Sequence, residues 1–469
     1  MTHESNPGFF KKRVRGLQQR WQFLAGSEYD ETAAALRPEL PPEDRPRVLE
    51  RMRQCLDARG GEIQARSRAA ALGEAYLALN TEGREVFLRM LAQEFDFNDG
   101  EVAEALDALN SSHGPEGRRE ARRALMDAVE SPRVRILKRF NALPQGVKFL
   151  VDLRADLIPL ARKDPVLASL DDDLKGLLTA WFDPGFLQLR RISWDTASGA
   201  LLEKFMAYEA VHPVESWEDL KGRLDLDRRY FAYFHPRMPD EPLVFLEVAL
   251  VERLATNIQD LLDPFAAALN PSEADTAVFY AISNAQRGLV GISFGGFLIK
   301  QVVDELAQEF PGLRTFASLS PLPGFLQWMK ESECPLLPSE VEKLKPLMGG
   351  RPLCDWLADI LTGVEWFQDN ERERTLRPIL LRLAAHYLTK AKRSDGGAVD
   401  PVANFHLRNG ARLERLNWAA DLSERGLAQY AGIMANYLYD ARKIESNHEA
   451  YQTRGRVMSS KAVRGLLKG

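Results

Sequence analysis

A glycine-bearing segment in the second half of the chain has residue types that could bind a phosphate group. It reads Gln286-Arg-Gly-Leu-Val-Gly-Ile-Ser-Phe-Gly-Gly296 and lies between a strand-like run and a helix-like run. Backbone N–H groups at the start of a helix bind phosphate, and glycine lets a ligand approach the backbone closely. The spacing is neither that of a Walker A loop nor that of a Rossmann fingerprint. A strand–glycine–helix junction is also a common structural feature, so both interpretations stay open on these residues alone.

Isolated serine and histidine residues are the other candidates for chemistry. Ser320 stands before a proline at the end of a predicted strand, where serine often only shapes a turn. His406 is one of seven histidines, and a single histidine is more often a satisfied polar residue. His235 precedes a proline at another strand end and could either line a site or cap a turn. Residue type and position alone therefore leave each of the three undecided.

Helical periodicity dominates the first part of the chain. Apolar residues recur at helical spacing in the stretches 86–95, 102–109 and 150–157. Asp99-Gly100 and the run Ser111–Pro115 separate these stretches with turn-forming residues. We predict an all-helical domain over residues 1–190.

The second part changes character and predicts a mixed α/β domain over residues 191–469. Aromatic and β-branched runs predict strands over 229–235 and 243–249, joined by a loop over the proline-rich 236–242. Further strands are predicted over 276–282 and 315–320, with a helix between them that buries Leu298, Ile299, Val302, Val303, Leu306 and Phe310. More helices are predicted within 338–392. The fold class is therefore α+β, a helical bundle followed by a mixed α/β domain.

The composition indicates an ordinary water-exposed surface. The 469 residues carry a formal net charge of −5, with 28% charged and 45% hydrophobic residues, so no overall attraction to nucleic acid or anionic membranes is expected. No apolar run reaches the roughly 18 residues of a membrane span, and the start lacks the apolar core of a signal peptide. Cys55, Cys334 and Cys354 form no zinc-binding spacing, which favours a reducing compartment and no metal. We expect a cytoplasmic protein.

The spacing Gln286-x-x-x-x-Gly291 before a helix resembles the pyrophosphate-binding turn of GCN5-related N-acetyltransferases. In that fold the loop joins the fourth strand to a helix and holds the diphosphate of coenzyme A, and the next strand diverges to leave a slot for the thioester. The predicted order of elements matches this arrangement.

Longer stretches carry a more specific resemblance, which covers about residues 195–440. They are Tyr208-Glu-Ala-Val-His-Pro213, His235-Pro-Arg-Met-Pro-Asp-Glu-Pro-Leu243, Phe316-Ala-Ser-Leu-Ser-Pro-Leu-Pro-Gly-Phe325, Pro401-Val-Ala-Asn-Phe-His-Leu-Arg-Asn-Gly-Ala411 and Met434-Ala-Asn-Tyr437. These stretches resemble malonyl-CoA decarboxylases, whose acetyltransferase-like (GNAT-like) catalytic domain follows a helical domain.

The resemblance implies a set of site residues. The family's catalytic serine lies just before the proline of Ser-Leu-Ser-Pro, which is Ser320, and its catalytic histidine lies in Asn-Phe-His-Leu, which is His406. Ser320 would act as proton acceptor and contact the malonyl carboxylate, and His406 would donate the proton. Tyr437 and Tyr439 could reach the thioester or pack in the core. The loop that contacts coenzyme A maps to Val290, Gly291, Ile292, Ser293, Phe294, Gly295 and Gly296, and some family members have an acidic residue at the position of Ser293.

The chemistry implied by the resemblance requires no added cofactor. Malonyl-CoA already contains its electron sink, because loss of CO2 pushes electrons into the thioester carbonyl and forms an enolate. We therefore expect no metal and no organic cofactor, and the family further implies a homotetramer assembled through the helical domain. A CoA-dependent acyltransferase is the alternative, because the same fold and loop serve acyl transfer to amines. A third possibility is a helical scaffold without catalysis, which would lack Ser320 and His406.

Overall fold

The computed structural model describes residues 36–57, 61–292, 298–332, 335–348, 353–361, 363 and 365–468, together with Leu17, Arg20, Trp21 and Leu24. The chain divides into two compact units. The first contains the described residues up to Gln188, the segment Tyr233–Leu243 and the described part of Asn284–Ser293. The second contains Leu189–Ala232, Val244–Ser283 and the described residues from Leu298 onward.

The first unit is built from α-helices, as the periodicity predicts. Asn80, Asn98 and Asp164 begin three of them, because each side chain accepts hydrogen bonds from backbone N–H groups of the first turn. The helices are α1 Arg45–Leu56, α2 Gly61–Ala78, α3 Thr81–Glu94, α4 Asp99–Ser111, α5 Gly114–Val129, α6 Pro132–Phe140, α7 Gly146–Ala161 and α8 Pro165–Trp181.

An aromatic cluster forms the core of the first unit. The ring of Phe149 on α7 lies 4.9 Å from Trp21, 4.8 Å from Phe140 and 5.7 Å from Tyr76. All four side chains are buried. Each aromatic ring removes a large apolar area from water, so this cluster fixes α2, α6 and α7 against one another.

The second unit contains the sheet. Its strands are β1 Gln188–Ile192, β2 Arg228–His235, β3 Met238–Val251, β4 Thr276–Asn284, β5 Thr315–Ser318, β6 Ser320–Pro321, β7 Arg412–Asn417 and β8 Met434–Leu438; the ends of β2, β3 and β4 belong to the first unit. Its helices are α9 Gly199–Tyr208, α10 Trp217–Gly222, α11 Gln259–Leu262, α12 Leu298–Glu309, α13 Phe325–Glu331, α14 Pro338–Met348, α15 Leu353–Ile360, α16 Glu365–Gln368, α17 Asn370–Thr389, α18 Pro401–Arg408, α19 Glu424–Tyr430, α20 Ile444–Arg454 and α21 Lys461–Leu466.

The order of strands in the sheet is β1-β2-β3-β4-β5-β8-β6, and β7 pairs with β8. β4 and β5 run parallel, and their pairing reaches as far as Phe279↔Ser318. Beyond that point the chain continues as β6 along β8, with Ser320 paired to Ala435, while β4 goes on to Asn284. The two strands therefore diverge at Ser318, as the acetyltransferase-like order of elements predicts.

The α+β class, with a helical first part followed by a domain that contains a mixed sheet, is confirmed, but several boundaries in the sheet differ from the prediction. The predicted loop over 236–242 is wrong, because β3 begins at Met238 and only residues 236–237 form the turn. A proline lacks the N–H donor but keeps its carbonyl acceptor, and the carbonyl of Pro242 accepts from Gln286 Nε2 at 2.8 Å. The prediction also missed β1, β7 and β8. Within the described residues, no helix is long and apolar enough to cross a membrane.

Candidate active site

Two of the predicted site residues meet in the second unit. The Oγ atom of Ser320 lies 2.9 Å from Nε2 of His406, and both side chains are buried. Ser320 Oγ also donates a hydrogen bond to Ser318 Oγ at 2.9 Å. A hydroxyl has one hydrogen, so with that hydrogen directed to Ser318, the imidazole donates from Nε2 and Ser320 accepts.

Two tyrosines at the end of β8 hold the imidazole ring. Nδ1 of His406 lies 2.6 Å from the hydroxyl of Tyr439. The ring of Tyr437 stacks on the imidazole with centroids 4.5 Å apart and planes 15° apart. Since Nε2 carries the hydrogen, Nδ1 accepts from the Tyr439 hydroxyl. Both tyrosines are buried and support the histidine, by a hydroxyl in one case and by a ring face in the other.

Burial determines the protonation of this group. It lowers the pKa of His406 to about 3, because an imidazolium ion is poorly solvated there. It also raises the pKa of Tyr439 well above its usual value. The histidine is therefore neutral at neutral pH and does not titrate there. What the ring offers is an N–H at Nε2 and a hydrogen-bonded acceptor at Nδ1.

Short elements bring these side chains together. Ser320 lies in the two-residue strand β6, which the Leu319 N–H fixes to β4 by donating to the carbonyl of Phe279 at 2.9 Å. His406 lies in the last turn of α18, an eight-residue helix with Pro401 in its first turn. Proline is favoured there because the first N–H groups of a helix have no partner within the helix. The Asp400-Pro401 sequence therefore fixes where α18 begins, and β6 fixes the position of Ser320.

The described part of the glycine-bearing segment, residues 286–292, lies in the first unit and is held there by a buried arginine. Arg154 Nη1 donates to the carbonyl oxygens of Gly288 at 2.6 Å and Val290 at 2.9 Å. Its Nε pairs with Asp171 at 2.8 Å. Gly288 lies directly on α7, because a Cβ built there would be 1.7 Å from the carbonyl oxygen of Val151. The start of the segment is thus fixed by charge and close packing.

The predicted CoA-contacting residues are only partly described. Gly291 has a φ of 79°, a conformation that favours glycine, and Val290 is 55% exposed. The N–H groups of Val290 and Ile292 donate to carbonyls within the same turn, so a phosphate would compete with those bonds. Ser293, Phe294, Gly295 and Gly296 lie outside the described residues.

His235 does not join the serine and His406 in the contacts that the structure shows. It belongs to the first unit, where its ring lies 4.7 Å from that of Phe182 and its Nδ1 accepts from the Arg237 N–H. Burial lowers the pKa of His235. These contacts match the capped turn that was the alternative interpretation of this residue.

Ser318 and Asp400 were not among the site residues predicted from the sequence. Ser318 could have been found, because residues two apart on a strand point to the same face and Ser318 precedes Ser320 by two. Asp400 before Pro401 is a helix-start signal, and its carboxylate accepts from the Ala403 N–H at 2.7 Å. Among the described residues, no group of three or more His, Cys, Asp or Glu is placed to hold a metal ion.

The comparisons with known proteins agree in one family. Residues 95–182 match the model of the malonyl-CoA decarboxylase N-terminal domain, and residues 185–469 match that of the C-terminal domain. The mitochondrial malonyl-CoA decarboxylase of Mus musculus is 35% identical over 481 residues, covering 95% of this chain and 92% of the mouse protein. The Anser anser anser protein of the same name is 36% identical, covering 85% of this chain and 83% of its own.

Solved structures give the same result. The crystal structure of malonyl-CoA decarboxylase from Rhodopseudomonas palustris is 40% identical, with a TM-score of 0.81 over 90% of this chain and 99% of that chain. The protein from Agrobacterium vitis is also 40% identical, with a TM-score of 0.79 over the same shares.

Proposed function

The chain belongs to the malonyl-CoA decarboxylase family, and we propose that Ser320 and His406 carry out its reaction. It is a carboxy-lyase that converts malonyl-CoA to acetyl-CoA and CO2. The observation that carries the proposal is the buried hydrogen-bonded row Ser318–Ser320–His406–Tyr439.

The first step breaks the bond between the malonyl carboxylate and the α-carbon. The electron pair of that bond moves toward the thioester carbonyl, CO2 leaves, and an enolate of acetyl-CoA remains. Ser320 orients the carboxylate by turning its hydroxyl hydrogen from Ser318 to a carboxylate oxygen when the substrate binds, while His406 holds the oxygen of the hydroxyl in place. Burial of the two side chains keeps water away from the carboxylate, whose solvation would otherwise slow its loss.

The second step protonates the α-carbon. The Nε2–H of neutral His406 supplies this proton, and the hydroxyl of Tyr439 supplies one to Nδ1 as the first leaves. The ring then remains neutral throughout, as its low pKa requires. Solvent restores the proton to the tyrosine, so one proton is consumed for each CO2 released.

The remaining substrate contacts are proposed from the family's loop. Val290, Gly291 and Ile292 would contact the diphosphate of coenzyme A, and Ser293, Phe294, Gly295 and Gly296 complete the family's loop. The Val290 and Ile292 N–H groups already donate within the turn, so among the described loop residues this role is assigned first to the N–H of Gly291. We propose no metal and no organic cofactor, because the thioester accepts the electrons. Activity that survives dialysis against a chelator, with metal content measured on the same sample, would support this; lost activity restored by one metal would contradict it.

The decisive experiment measures CO2 and acetyl-CoA from malonyl-CoA alone. Wild-type protein should release both in equal amounts. Ser320→Ala and His406→Asn should lose most of kcat while coenzyme A binding persists. Ser193→Ala, which removes a half-buried hydroxyl in contact with Thr196, serves as control. Full activity in His406→Asn would remove it from the mechanism. Coenzyme A released only when an amine is added would favour the acyltransferase alternative.

The helical domain, residues 1–190, is proposed to assemble the chain into a homotetramer, and residues 191–469 to carry the catalytic site. Neither α4 nor α5 has a buried residue, and Leu106, Met126 and Val129 on them are exposed. Several exposed apolar side chains on one pair of helices favour a contact with another chain. Light scattering should show a tetramer that Met126→Glu weakens; a monomer at micromolar concentration would contradict the assembly.

A cytoplasmic location also stays a proposal. The curated relatives are named mitochondrial enzymes, and both compartments keep thiols reduced. Cys55 is a free, buried thiol, which fits either. Fractionation of the source cells would decide, and recovery with an organelle would contradict the cytoplasmic assignment.

A further inference from the structure

One buried carboxylate connects the helix of His406 to the segment that follows Ser320. Asp400 is completely buried at the N-terminus of α18. One of its oxygens accepts from the Ala403 N–H at 2.7 Å, and the other accepts from the hydroxyl of Tyr387 on α17 at 3.1 Å. The backbone N–H groups of Val402 and Gly324 also favour its charged form. Gly324 is only four residues after Ser320.

Tyr387 is held tightly against the same glycine. A Cβ built on Gly324 would lie 2.5 Å from the Tyr387 hydroxyl oxygen, so any larger residue would displace the tyrosine. The Tyr387 ring also packs at 5.7 Å from Phe325 and 5.1 Å from Trp328, both on α13. The tyrosine thus contacts the segment after the serine through its ring and the start of the histidine helix through its hydroxyl.

From this arrangement, and relying on the proposed roles of Ser320 and His406, we propose that Asp400 and Tyr387 are positioning residues for decarboxylation. They hold α18 and the Ser320–Gly324 segment in one register and so maintain the 2.9 Å contact between Ser320 Oγ and His406 Nε2. Neither residue is required to touch the substrate. A misplacement of about 1 Å between reacting groups can lower a rate 100-fold.

The charge state of Asp400 gives this role a signature in the pH profile. Burial raises the pKa of Asp400 to about 6, although four donors favour the carboxylate. The titratable groups that face it are the hydroxyls of Tyr387 on α17 and Tyr437 on β8; burial and then Asp400 raise the pKa of both. His406, on its own helix, has a pKa of about 3 and stays neutral over the same range. Below pH 6 a protonated Asp400 accepts fewer hydrogen bonds, so the register of α18 loosens.

The stability of the protein should respond in the opposite direction. A raised pKa means that the folded state binds the proton more tightly than the unfolded state does. The contribution of Asp400 to stability is therefore largest below the ordinary aspartate pKa and is lost as the pH rises through about 6. At neutral pH the ionised carboxylate costs stability while it orders the site. A residue with only a structural role would not separate activity from stability in this way.

The test compares Asp400→Asn and Tyr387→Phe with Asp369→Asn, a matched control at an exposed helix N-terminus. Asp369 also accepts from two backbone N–H groups, at the start of α17. Steady-state kcat and KM for malonyl-CoA are measured from pH 5 to 8, with the melting temperature of each variant. We expect wild-type kcat to fall below about pH 6. Asp400→Asn should lose that fall together with about 10- to 100-fold of kcat, with KM changed less than about threefold.

Each outcome decides one point. Tyr387→Phe should lower kcat by about tenfold and keep the melting temperature within a few degrees, and Asp369→Asn should match wild type. The proposal is overturned if Asp400→Asn retains kcat, or if the fall near pH 6 persists in it. It is also overturned if a smaller fraction of folded protein fully accounts for the lower kcat of Asp400→Asn. If Ser320→Ala and His406→Asn are themselves fully active, the proposed function fails instead, whatever Asp400→Asn does.

Discussion

Replacing Tyr439 with phenylalanine tests whether the tyrosine hydroxyl supplies the proton to Nδ1 of His406. The substitution removes the hydroxyl that lies 2.6 Å from Nδ1 of His406 and keeps the ring. It leaves Nδ1 as a buried acceptor without a donor, which costs about 1–3 kcal/mol. The bond is already present in the resting enzyme, so kcat falls only by the part that strengthens as the proton moves; if that part equals the full cost, kcat should fall by roughly 5- to 150-fold, at about 1.4 kcal/mol for each factor of ten.

Tyr437→Phe is the matched control. Tyr437 lies two residues earlier, contacts the same imidazole through its ring face at 4.5 Å, and keeps that face as phenylalanine. Its kcat should stay within about threefold of wild type, since stacking is retained. Both variants are assayed by acetyl-CoA release at saturating malonyl-CoA, with KM and melting temperature measured alongside.

The result that refutes the reasoning is a Tyr439→Phe enzyme with kcat within twofold of wild type. It would mean that Nδ1 receives no proton from the tyrosine and that the imidazole is charged in the working enzyme. Equal losses in both variants would indicate that the tyrosines matter for packing rather than for proton supply. A rise in KM alone would place the hydroxyl against the substrate instead.

Three further predictions concern the first unit and the buried acids of the second. Arg154→Leu removes two hydrogen bonds to loop carbonyls and takes the partner away from Asp171. KM for malonyl-CoA should therefore rise more than kcat falls. An unchanged KM would indicate that the loop does not contact coenzyme A. Gly288→Ala forces a Cβ against the Val151 carbonyl and should lower the free energy of unfolding by about 1–3 kcal/mol, measured by urea denaturation; wild-type stability would contradict this close packing. Burial raises the pKa of Glu247 and of its neighbour Glu209, so stability should fall as the pH rises above the ordinary glutamate value of 4.5. Glu247→Gln should make the melting temperature depend less on pH over this range. A parallel decline in wild type and variant would refute the assignment to Glu247.

The sequence predicted the parts of this fold that repeat a pattern. The helical first part and the core strands over 229–235 and 276–282 follow from periodicity, because apolar residues recur at the spacing of each element. The strand β7 was not predicted because its sequence, Arg412-Leu-Glu-Arg-Leu-Asn417, is mostly polar. Its pairing with β8 determines its extended conformation. A proline-rich run was wrongly assigned to a loop because proline constrains only its own φ and donor.

The proposed catalytic pair could not be predicted from local patterns at all. No local pattern links Ser320 to His406, which are 86 residues apart, and only the family resemblance paired them before the structure did. Tyr439 has the same difficulty, since its hydroxyl partner is fixed by the register of β8. Asp400 could have been found from its helix-start signal, but nothing local reveals that Tyr387 completes its contacts. Local sequence patterns do not specify how elements that are distant along the chain align with one another.

The strands β5 and β6 keep a single register along β8 on both sides of Leu319, because Ala317 pairs with Leu438 and Ser320 pairs with Ala435. Ser320 is therefore attached to the strand that carries Tyr437, while β4 forms the opposite wall of the opening between the two strands. A shift of β8 along its own axis would therefore carry the serine and the tyrosine together, while the Leu319 N–H keeps the same segment attached to β4 through the Phe279 carbonyl.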